Sequence, residues 1–292
     1  MTELSLPAQP VTATLLVSCR DRTGIVAALS DFVFKHNGNI LDADQHAEFE
    51  SDMFFMRLRW ELGSFSLDRK QVLEALSHIA TRFDLKWEIT FSDKRPKLVV
   101  FASKIPHCLY DILLAHQLGE LGGDLVAVVS NHQDLRPVAG HFGVPFHHIP
   151  VLKDNKELAE AAQHSLVNSL GADLIVLARY MQILSPDFVA SRLGRIINIH
   201  HSFLPAFVGA RPYHQAKSRG VKLIGATAHY VTADLDQGPI IEQDVVRVTH
   251  RDDVPQLVQK GRELERQVLT RAVKLHLDRR VLISDNRTIV FG

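Results

Sequence analysis

The stretch RIINIHHSFLP, residues 195–205, runs from a short apolar segment directly into a group of polar side chains. Similar apolar runs precede it, namely KLVVFA, DLVAVVS and ADLIVLA, and helical patterns such as KELAEAAQHSLVNSL separate them. Nearly continuous apolar runs of this length are typical of parallel strands that are buried on both faces. The pattern predicts a doubly wound, mostly parallel α/β domain over 97–292, with further strands near 224–231 and 239–248 and a last helix over 254–277.

The first ninety residues have a different pattern. TATLLVSC predicts a strand, apolar residues at helical spacing follow it, and Thr23 is a plausible cap for that helix. Two extended stretches, a second amphipathic helix and the strand KWEITF complete a β-α-β-β-α-β order. This order predicts a ferredoxin-like domain over 1–91, with an antiparallel sheet and two helices on one face. The charged segment SDKRP, residues 92–96, is predicted to be a linker.

Composition narrows the class of protein. The chain has 292 residues, of which 46% are hydrophobic and 23% charged, as expected for a globular protein of two domains. Lys and Arg number 33 and so do Asp and Glu, which argues against a nucleic-acid partner. No apolar run approaches the roughly 20 residues of a membrane span, and the first residues lack the basic region of a signal peptide. With two cysteines and no disulfide framework, we expect a cytoplasmic protein.

Polar groups capable of chemistry are predicted at one edge of the parallel sheet. Asn198, His200 and His201 follow a strand, and HYVTADLDQGP, residues 229–239, brings the carboxylate of Asp236. Ligands bind beyond the carboxyl ends of such strands. An amide donor, a proton carrier and a carboxylate are the minimum set for acyl or formyl transfer. Taken singly, these residues also fit a capping turn with a surface histidine, an Asx turn, or a zinc site.

Two long motifs resemble a known family. NIHHSFLPAFVGARPYHQA followed by GATAHYVTADLDQGPIIEQ is similar to the folate-dependent formyltransferase fold, whose pattern is N-x-H-x-S-x-L-P and then a G-x-T-x-H strand. An Asp follows seven residues after the last His of that pattern, here Asp236 counted from His229. ARYMQIL resembles the folate-pocket segment of the family, and DRTGIV with NGNI resembles an ACT domain. An ACT domain ahead of this fold resembles the formyltetrahydrofolate deformylases.

The resemblance implies an activity. Deformylases of this kind hydrolyse 10-formyltetrahydrofolate to formate and tetrahydrofolate, which supplies formate for purine synthesis and balances one-carbon folate pools. The alternative is formyl transfer to an amine such as glycinamide ribonucleotide. The loop at 103–108, SKIPHC, favours water as the acceptor, because it has no Gly and Pro106 removes a backbone donor that a phosphate would need. Phosphate binding by the charge of Lys104 and His107 stays open.

The resemblance also implies roles for residues. Asn198 is expected to donate to the oxyanion, His200 to act as acid or to polarise the formyl oxygen, and Asp236 to position and deprotonate the water. His201 replaces the Pro or Gly usual in the transferases and is expected, with His229, to support the site. No metal and no cofactor is implied, because the folate is the substrate. The predicted substrate contacts are Met181, Gln182, Ile183, Leu184, Val231, Ala233 and Asp234.

The ACT-like segment implies regulation and assembly. Glycine and methionine are the effectors to test, and a homo-oligomer is expected, because ACT domains usually pair side by side. The alternative is that this domain only dimerises. The predicted effector contacts are Arg22, Thr23, Gly24, Ile25, Asn37 and Gly38.

Overall fold

The computed structural model describes residues 10–205 and 212–292. The chain divides into two compact units. One contains the residues up to Arg95 together with Phe291 and Gly292, and the other spans Pro96–Val290. Among the described residues, no helix is both long enough and apolar enough to cross a membrane.

The first unit has the predicted order of elements. Its strands form a four-stranded antiparallel sheet in the order β2-β3-β1-β4. Every second residue of β1 and of β3 packs with both helices in one buried cluster. In β1 these residues run from Ala13 to Cys19, and in β3 from Phe54 to Trp60. The elements are β1 (Thr12–Arg20), α1 (Ile25–Lys35), β2 (Ile40–Glu48), β3 (Met53–Glu61), α2 (Arg69–Phe83) and β4 (Lys86–Phe91).

The two helices of this unit begin differently. For α2 the sequence offers Ser66 or Asp68 as the cap, and the structure shows Asp68, which forms a capping box with Gln71. The prediction that Thr23 caps α1 is wrong. The N-cap is Gly24, with φ of 95° and no side-chain cap bond, because the chain enters the helix through a left-handed turn that favours glycine.

The second unit is built on a seven-stranded sheet in the order β11-β10-β9-β8-β5-β6-β7. The pairs from β7 to β9 are parallel, and β10 pairs antiparallel with both β9 and β11. The elements are β5 (Lys97–Ala102), α3 (His107–Gln117), β6 (Asp124–Ser130), α4 (Arg136–His141), β7 (Phe146–His148), α5 (Lys156–Ser169), β8 (Leu174–Ala178), α6 (Pro186–Ala190), β9 (Ile196–His200), α7 (Pro212–Arg219), β10 (Leu223–Tyr230), β11 (Ile240–Arg247), α8 (Val254–Leu277), β12 (Val281–Ser284) and β13 (Arg287–Val290).

Burial on both faces explains the apolar runs in the sequence. Leu98, Val100 and Ala102 of β5 belong to one buried cluster, and Val99 and Phe101 belong to another. Neighbouring residues of a strand point to opposite faces, so both faces of β5 need apolar side chains. The parallel sheet predicted from these runs is therefore confirmed.

Helix α8 supports the sheet from one side and brings a charged residue with it. It packs against β9, β10, β11 and α3. Asp253 caps it through a capping box with Gln256, and its bounds are those predicted from the sequence. Glu265 lies in the middle of this helix and is 2% exposed. A buried carboxylate needs partners, and they are described with the site.

Candidate active site

The antiparallel pairing of β9 with β10 brings the two halves of the motif together. Asn198 lies opposite His229, and His200 lies opposite Thr227. Asn198 Nδ2 is 3.2 Å from His229 Nε2. The G-x-T-x-H strand therefore lies directly beside Asn198 and His200, although about thirty positions separate the two segments in the sequence.

Asp236 reaches this place from the turn after β10. Its φ of 56° is left-handed, a conformation that costs roughly 1–2 kcal/mol for a residue with a Cβ. Gly238 lets the turn lie against the strand, since a Cβ there would be 1.8 Å from the carbonyl oxygen of Tyr230. The Asp236 carboxylate is then 3.2 Å from His200 Nδ1 through Oδ2 and 3.7 Å from His229 Nε2 through Oδ1.

The hydrogen bond from His200 holds the pKa of Asp236 well below its usual range, against the effect of burial. The carboxylate is therefore ionised at neutral pH and accepts a hydrogen bond from His200 Nδ1–H. In the part of the chain that the structure describes, the buried Nε2 of His200 has no hydrogen-bond partner. His200 is thus oriented by a carboxylate through one nitrogen and leaves the other for chemistry, as in a His–Asp pair of a hydrolase.

His229 fixes the orientation of Asn198. Its Nδ1 donates to the carbonyl oxygen of Tyr230 at 2.9 Å, so in the neutral ring Nε2 carries the lone pair. That nitrogen accepts from Asn198 Nδ2, which identifies the amide nitrogen of Asn198 as the group turned toward the histidine. This geometry suits the supporting role expected for His229.

Thr227, the middle residue of G-x-T-x-H, holds the segment that follows His201. Its hydroxyl donates to the Ser202 carbonyl oxygen at 2.9 Å and accepts from the Leu204 backbone N–H at 3.1 Å. Gln243 Nε2 on β11 donates to the same hydroxyl at 2.8 Å. The position of Thr227 in the motif therefore has a structural reason, because one buried hydroxyl joins three segments.

His201 contacts a second group of charged residues. Its ring stacks on His200, with centroids 5.0 Å apart and planes at 21°. Arg179 Nη1, after β8, is 2.7 Å from His201 Nδ1, and Arg179 Nε is 3.5 Å from Glu265 Oε2. Neither Arg179 nor Glu265 is among the predicted site residues. Arg179 lies within the ARYMQIL segment, whereas Glu265 belongs to no motif of the sequence.

Glu265 is the centre of this second group. His107 Nε2 donates to Glu265 Oε2 at 2.8 Å, and the Tyr213 hydroxyl donates to Oε1 at 3.0 Å. Burial opposes ionisation, but the bond from His107 and the charge of Arg179 hold the pKa of Glu265 below its usual value. Gly261 leaves room for the tyrosine, because a Cβ there would be 1.9 Å from the Tyr213 hydroxyl oxygen.

Asn198, His200 and Asp236 are called the trio below. The predicted substrate contacts lie in two other segments, one after β8 and one after β10. Arg179 and Met181 both have left-handed backbone, with φ of 60° and 57°, and Met181 is 62% exposed. Gln182, Ile183 and Leu184 line a small cleft together with Val151, Lys156, Glu160, Gln163 and Tyr180. In the second segment Val231 is half-buried and packs on the core, while Ala233 and Asp234 are exposed in the turn that carries Asp236.

The loop after β5 uses its polar groups internally. The Ser103 hydroxyl bonds the carbonyl oxygen of Tyr180 and is 2.7 Å from Asn131 Oδ1. His107 is bound to Glu265. The sequence analysis named Lys104 and His107 as the side chains that could bind a phosphate by charge. Of these two, Lys104 is the exposed one.

The predicted effector contacts in the first unit have mixed surroundings. Arg22, Thr23 and Gly24 are exposed at the start of α1, whereas the Ile25 side chain is buried in the core. Gly38 ends the helix, with its N–H bonded to the Val33 carbonyl oxygen at 2.9 Å, and a Cβ there would be 2.5 Å from Val33 Cγ1. Asn37 accepts a bond from Ser64 Oγ at its carbonyl oxygen. Gly38 and Ile25 thus have structural roles.

The zinc alternative is not favoured by the geometry. His200 and His229 both direct a ring nitrogen to the Asp236 carboxylate. In the described ranges, the group of His, Cys and acidic ligands close enough to share an ion is His107, Cys108 and Glu265, within 4.8 Å of one another. Arg179 already places a positive charge 3.5 Å from that carboxylate, which disfavours a cation there.

Comparison with known proteins agrees with this geometry. Residues 96–273 match the formyl transferase family. The chain is 54% identical over 284 residues to formyltetrahydrofolate deformylase of Synechocystis, covering 97% of this chain and 100% of the relative. It is 47% identical over 279 residues to the Bacillus subtilis protein of the same name, covering 95% and 93%.

Solved structures show the same relation. The formyltetrahydrofolate deformylase of Pseudomonas syringae superposes with a TM-score of 0.95 at 48% identity, over 98% of this chain and 96% of that chain. Glycinamide ribonucleotide transformylase 1 of Symbiobacterium toebii gives 0.64 at 30% identity, over 68% of this chain and 95% of that chain. The match to the transformylase covers two thirds of the chain, while the match to the deformylases covers nearly all of it. The chain therefore belongs to the formyltetrahydrofolate deformylase family.

Proposed function

We propose that this protein hydrolyses 10-formyltetrahydrofolate to formate and tetrahydrofolate, and so supplies formate for purine synthesis and balances one-carbon folate pools. The observation that carries the proposal is the trio at the β9–β10 edge. A histidine bound to a carboxylate at 3.2 Å stands two residues from an oriented amide donor. Relatives with the deformylase name at 54% and 47% identity support the assignment.

The reaction needs water to add to the formyl carbon. In the proposed first step, His200 Nε2 takes one proton of the water while its oxygen bonds to carbon, and the formyl oxygen becomes an oxyanion. Asn198 Nδ2 donates to that oxyanion, a contribution of roughly 10²–10³ in rate for a single donor of this kind. In the second step the C–N bond breaks, and His200 returns the proton to the departing folate nitrogen.

The geometry assigns Asp236 a different part in this scheme from the one expected from the sequence. A carboxylate whose pKa lies well below its usual range is a poor base near neutral pH. Asp236 is better suited to hold the tautomer of His200 and to stabilise its imidazolium form, as the carboxylate of a catalytic triad does. Breakage of the C–N bond gives tetrahydrofolate and formic acid, and formic acid releases its proton to solvent to give formate. His200 carries the other proton from the water to the folate nitrogen, so the proposal invokes no cofactor or metal.

Water is favoured over an amine acceptor by the loop at 103–108. A phosphate-bearing acceptor would need free donors there. Ser103 and His107 are bonded within the protein, and Pro106 lacks an N–H. Formyl transfer to glycinamide ribonucleotide therefore remains the second candidate, with Lys104 as its one exposed contact in that loop.

The test is turnover without any added acceptor. The purified chain is incubated with 10-formyltetrahydrofolate, and formate and tetrahydrofolate are measured as they form. We expect formate at a rate that an added amine, glycinamide ribonucleotide, leaves unchanged, and no formate with His200→Ala. Formate formation only when the amine is present would replace hydrolysis by transfer, and binding without turnover would make the protein a folate-dependent regulator.

For the substrate, we propose that the pterin lies against Met181–Leu184 and Val231–Asp234. Gln182, Ile183 and Leu184 border a small cleft, and the pterin is a single flat ring system that such a surface can contact. Exposed apolar groups at Met181 and Ile183 can cover its faces, while backbone of both segments can bond its edge. Ile183→Asn should raise KM for the folate with a smaller effect on kcat.

For the first unit, we propose an ACT-type regulatory domain that binds glycine or methionine and assembles the chain as a homo-oligomer. Exposed Arg22 and Thr23 beside the left-handed Gly24 can meet an amino-acid carboxylate at the start of α1. Turnover measured with each amino acid, with Arg22→Ala as the variant, tests regulation, and light scattering tests assembly. A cytoplasmic location is supported by two free, buried cysteines, Cys19 and Cys108.

A further inference from the structure

The two adjacent histidines of the motif have different partners. His200 bonds the carboxylate of Asp236, whereas His201 bonds the guanidinium of Arg179 at 2.7 Å. Their rings are stacked with centroids 5.0 Å apart. Two positive charges at that separation in a buried site repel each other strongly, so the surroundings decide which ring takes the proton.

The contact with Arg179 sets the protonation of His201. A guanidinium has only donors, so the nitrogen it contacts must carry a lone pair. His201 Nδ1 is that nitrogen, and the neutral ring then carries its hydrogen on Nε2. The partner of His201 thus selects both its charge and its tautomer.

Arg179 is in turn held by Glu265. The carboxylate is 3.5 Å from Arg179 Nε and accepts from His107 and Tyr213 at 2.8 and 3.0 Å. His107 belongs to α3 and Tyr213 to α7, whereas Arg179 follows β8. Gly261 leaves the space in which Tyr213 fits. The guanidinium is therefore fixed by a buried anion, and this anion is not needed by any step of the proposed reaction.

We infer that Arg179, held by Glu265, is a positioning residue that fixes His201 as the neutral Nε2–H tautomer and so confines the positive charge of the histidine pair to His200 beside Asp236. The effect on turnover rests on the proposed function, whereas the state of the ring does not. A neutral His201 lets His200 become an imidazolium during the reaction without a charged neighbour. It also leaves an Nε2–H donor next to the trio.

The charges around His201 agree with this assignment. Burial, then Arg179 and His200, lowers the pKa of His201 from 6.5 to about 4, and the negative charges of Glu265 and Asp236 oppose this change. The ring of Tyr213 lies 6.2 Å from that of His201. Burial and the charge of Arg179 thus both favour the neutral ring.

The state of the ring is tested by ¹⁵N NMR of the full chain without ligand. In the wild type we expect His201 with Nδ1 unprotonated and Nε2 protonated from about pH 5 to 8, the range in which histidines ordinarily titrate. Arg179→Met should raise the His201 midpoint by at least about one pH unit, and Arg179→Lys should restore the low value. Glu265→Gln should lower it further, because a negative charge is removed.

Since Arg179→Met leaves Glu265 without a cation, the double variant Arg179→Met with Glu265→Gln is measured beside it. It carries no buried unpaired charge, and the His201 midpoint should lie above the wild-type value there as well, because Arg179 is the largest of the charges that act on the ring. A wild-type ring protonated at Nδ1, or a midpoint that is the same in all variants, overturns the inference. Circular dichroism identifies any variant that does not fold. If Arg179→Met does not fold, the His201 midpoint of the double variant is the test.

Turnover gives the second readout. In Arg179→Met, kcat should fall on the acid side of its pH profile, around the new midpoint of His201, while KM changes less and Arg179→Lys keeps the wild-type profile. An unchanged profile in Arg179→Met contradicts the effect on the reaction. Failure of the chain to hydrolyse the formyl-folate contradicts the proposed function alone, since the NMR result does not depend on it.

Discussion

Asp236 and Glu265 are two carboxylates of the same unit with opposite surroundings. Asp236 has a side chain that is 15% exposed, and two histidines, groups that can carry or release a proton, face it. Glu265 is 2% exposed and faces Arg179, which keeps its charge at any pH a protein experiences, together with His107 and Tyr213. The surroundings of Asp236 therefore allow a proton to move, whereas those of Glu265 keep its carboxylate charged.

The different surroundings of the two carboxylates indicate different roles, which are chemistry for Asp236 and structural support for Glu265. A carboxylate that orients a histidine can stabilise a charge that appears and disappears during a reaction. A buried carboxylate with permanent partners contributes geometry, and its removal leaves the partners unsatisfied. We therefore expect substitutions at Asp236 to reduce turnover and substitutions at Glu265 to reduce stability.

Asp236→Asn should have the largest effect, on turnover. An amide cannot stabilise the imidazolium of His200, so kcat should fall by about 10³–10⁴, as for other His–Asp pairs, while the urea midpoint stays near that of the wild type. Asp244→Asn on β11, whose partner is the exposed Arg271, is the control and should retain its kcat. Equal loss in both variants would remove the distinction.

Gly238→Ala should reduce turnover through the position of Asp236. The added Cβ would lie 1.8 Å from the carbonyl oxygen of Tyr230, so the turn must move away from the strand. We expect a loss in kcat of about 10²-fold, the effect of an ångström-scale displacement of a catalytic group. Gly140→Ala, where nothing lies within 4 Å of the new Cβ, should be nearly neutral; a similar loss there would point to general damage.

Glu265→Ala should reduce stability. It leaves Arg179 without its buried anion and removes the acceptor of His107 and Tyr213, a change worth about 3–5 kcal/mol in the free energy of unfolding. Glu263→Ala, at an exposed position of the same helix, should change it by less than about 0.5 kcal/mol. Urea unfolding measures both, and equal values would show that the Glu265 partners contribute nothing.

The pH dependence of stability should show the smallest effect. His201 has a pKa of about 4 in the folded chain and 6.5 as its ordinary value, so between these values the unfolded chain binds more protons. Stability is then complete above about pH 6.5 and is lost progressively as the pH falls toward 4. His201→Asn should flatten this slope in urea unfolding at several pH values. The contribution of Asp236, whose pKa is lowered from 3.8, is lost only at more acid pH.

Much of the fold could be predicted because its signals are local. Runs buried on both faces indicate the parallel strands, and Asp253 with Gln256 marks the start of α8. Strand β7, the hairpin of β12 and β13 and the short helices α4, α6 and α7 were not predicted. β7 has 3 residues and α6 has 5, too few for a periodic pattern to show.

The site divides in the same way. Asn198, His200 and Asp236 lie in two continuous motifs, and the pairing of adjacent strands joins them. His107 and Glu265 are 158 positions apart, and Arg179 reaches them from a third segment. Such a cluster depends on how α3 packs against α8, and this packing cannot be predicted from the spacing of residues in the sequence. Gly261 is the one sequence feature that points to it, as a glycine inside a long helix.

The order of the strands gives one further consequence. From β5 the chain builds outward to β7 and then returns to the other side of β5 with β8, so the direction of winding reverses between β5 and β8. Sheets of this kind offer that crevice to their ligands. Here Ser103, after β5, bonds the Tyr180 carbonyl oxygen, after β8, and so ties the two loops together, while Asn198 and His200 lie on the next strand, β9. A designer who wished to install an amine acceptor would begin by changing the residues of these two loops and would leave Asn198 and His200 untouched.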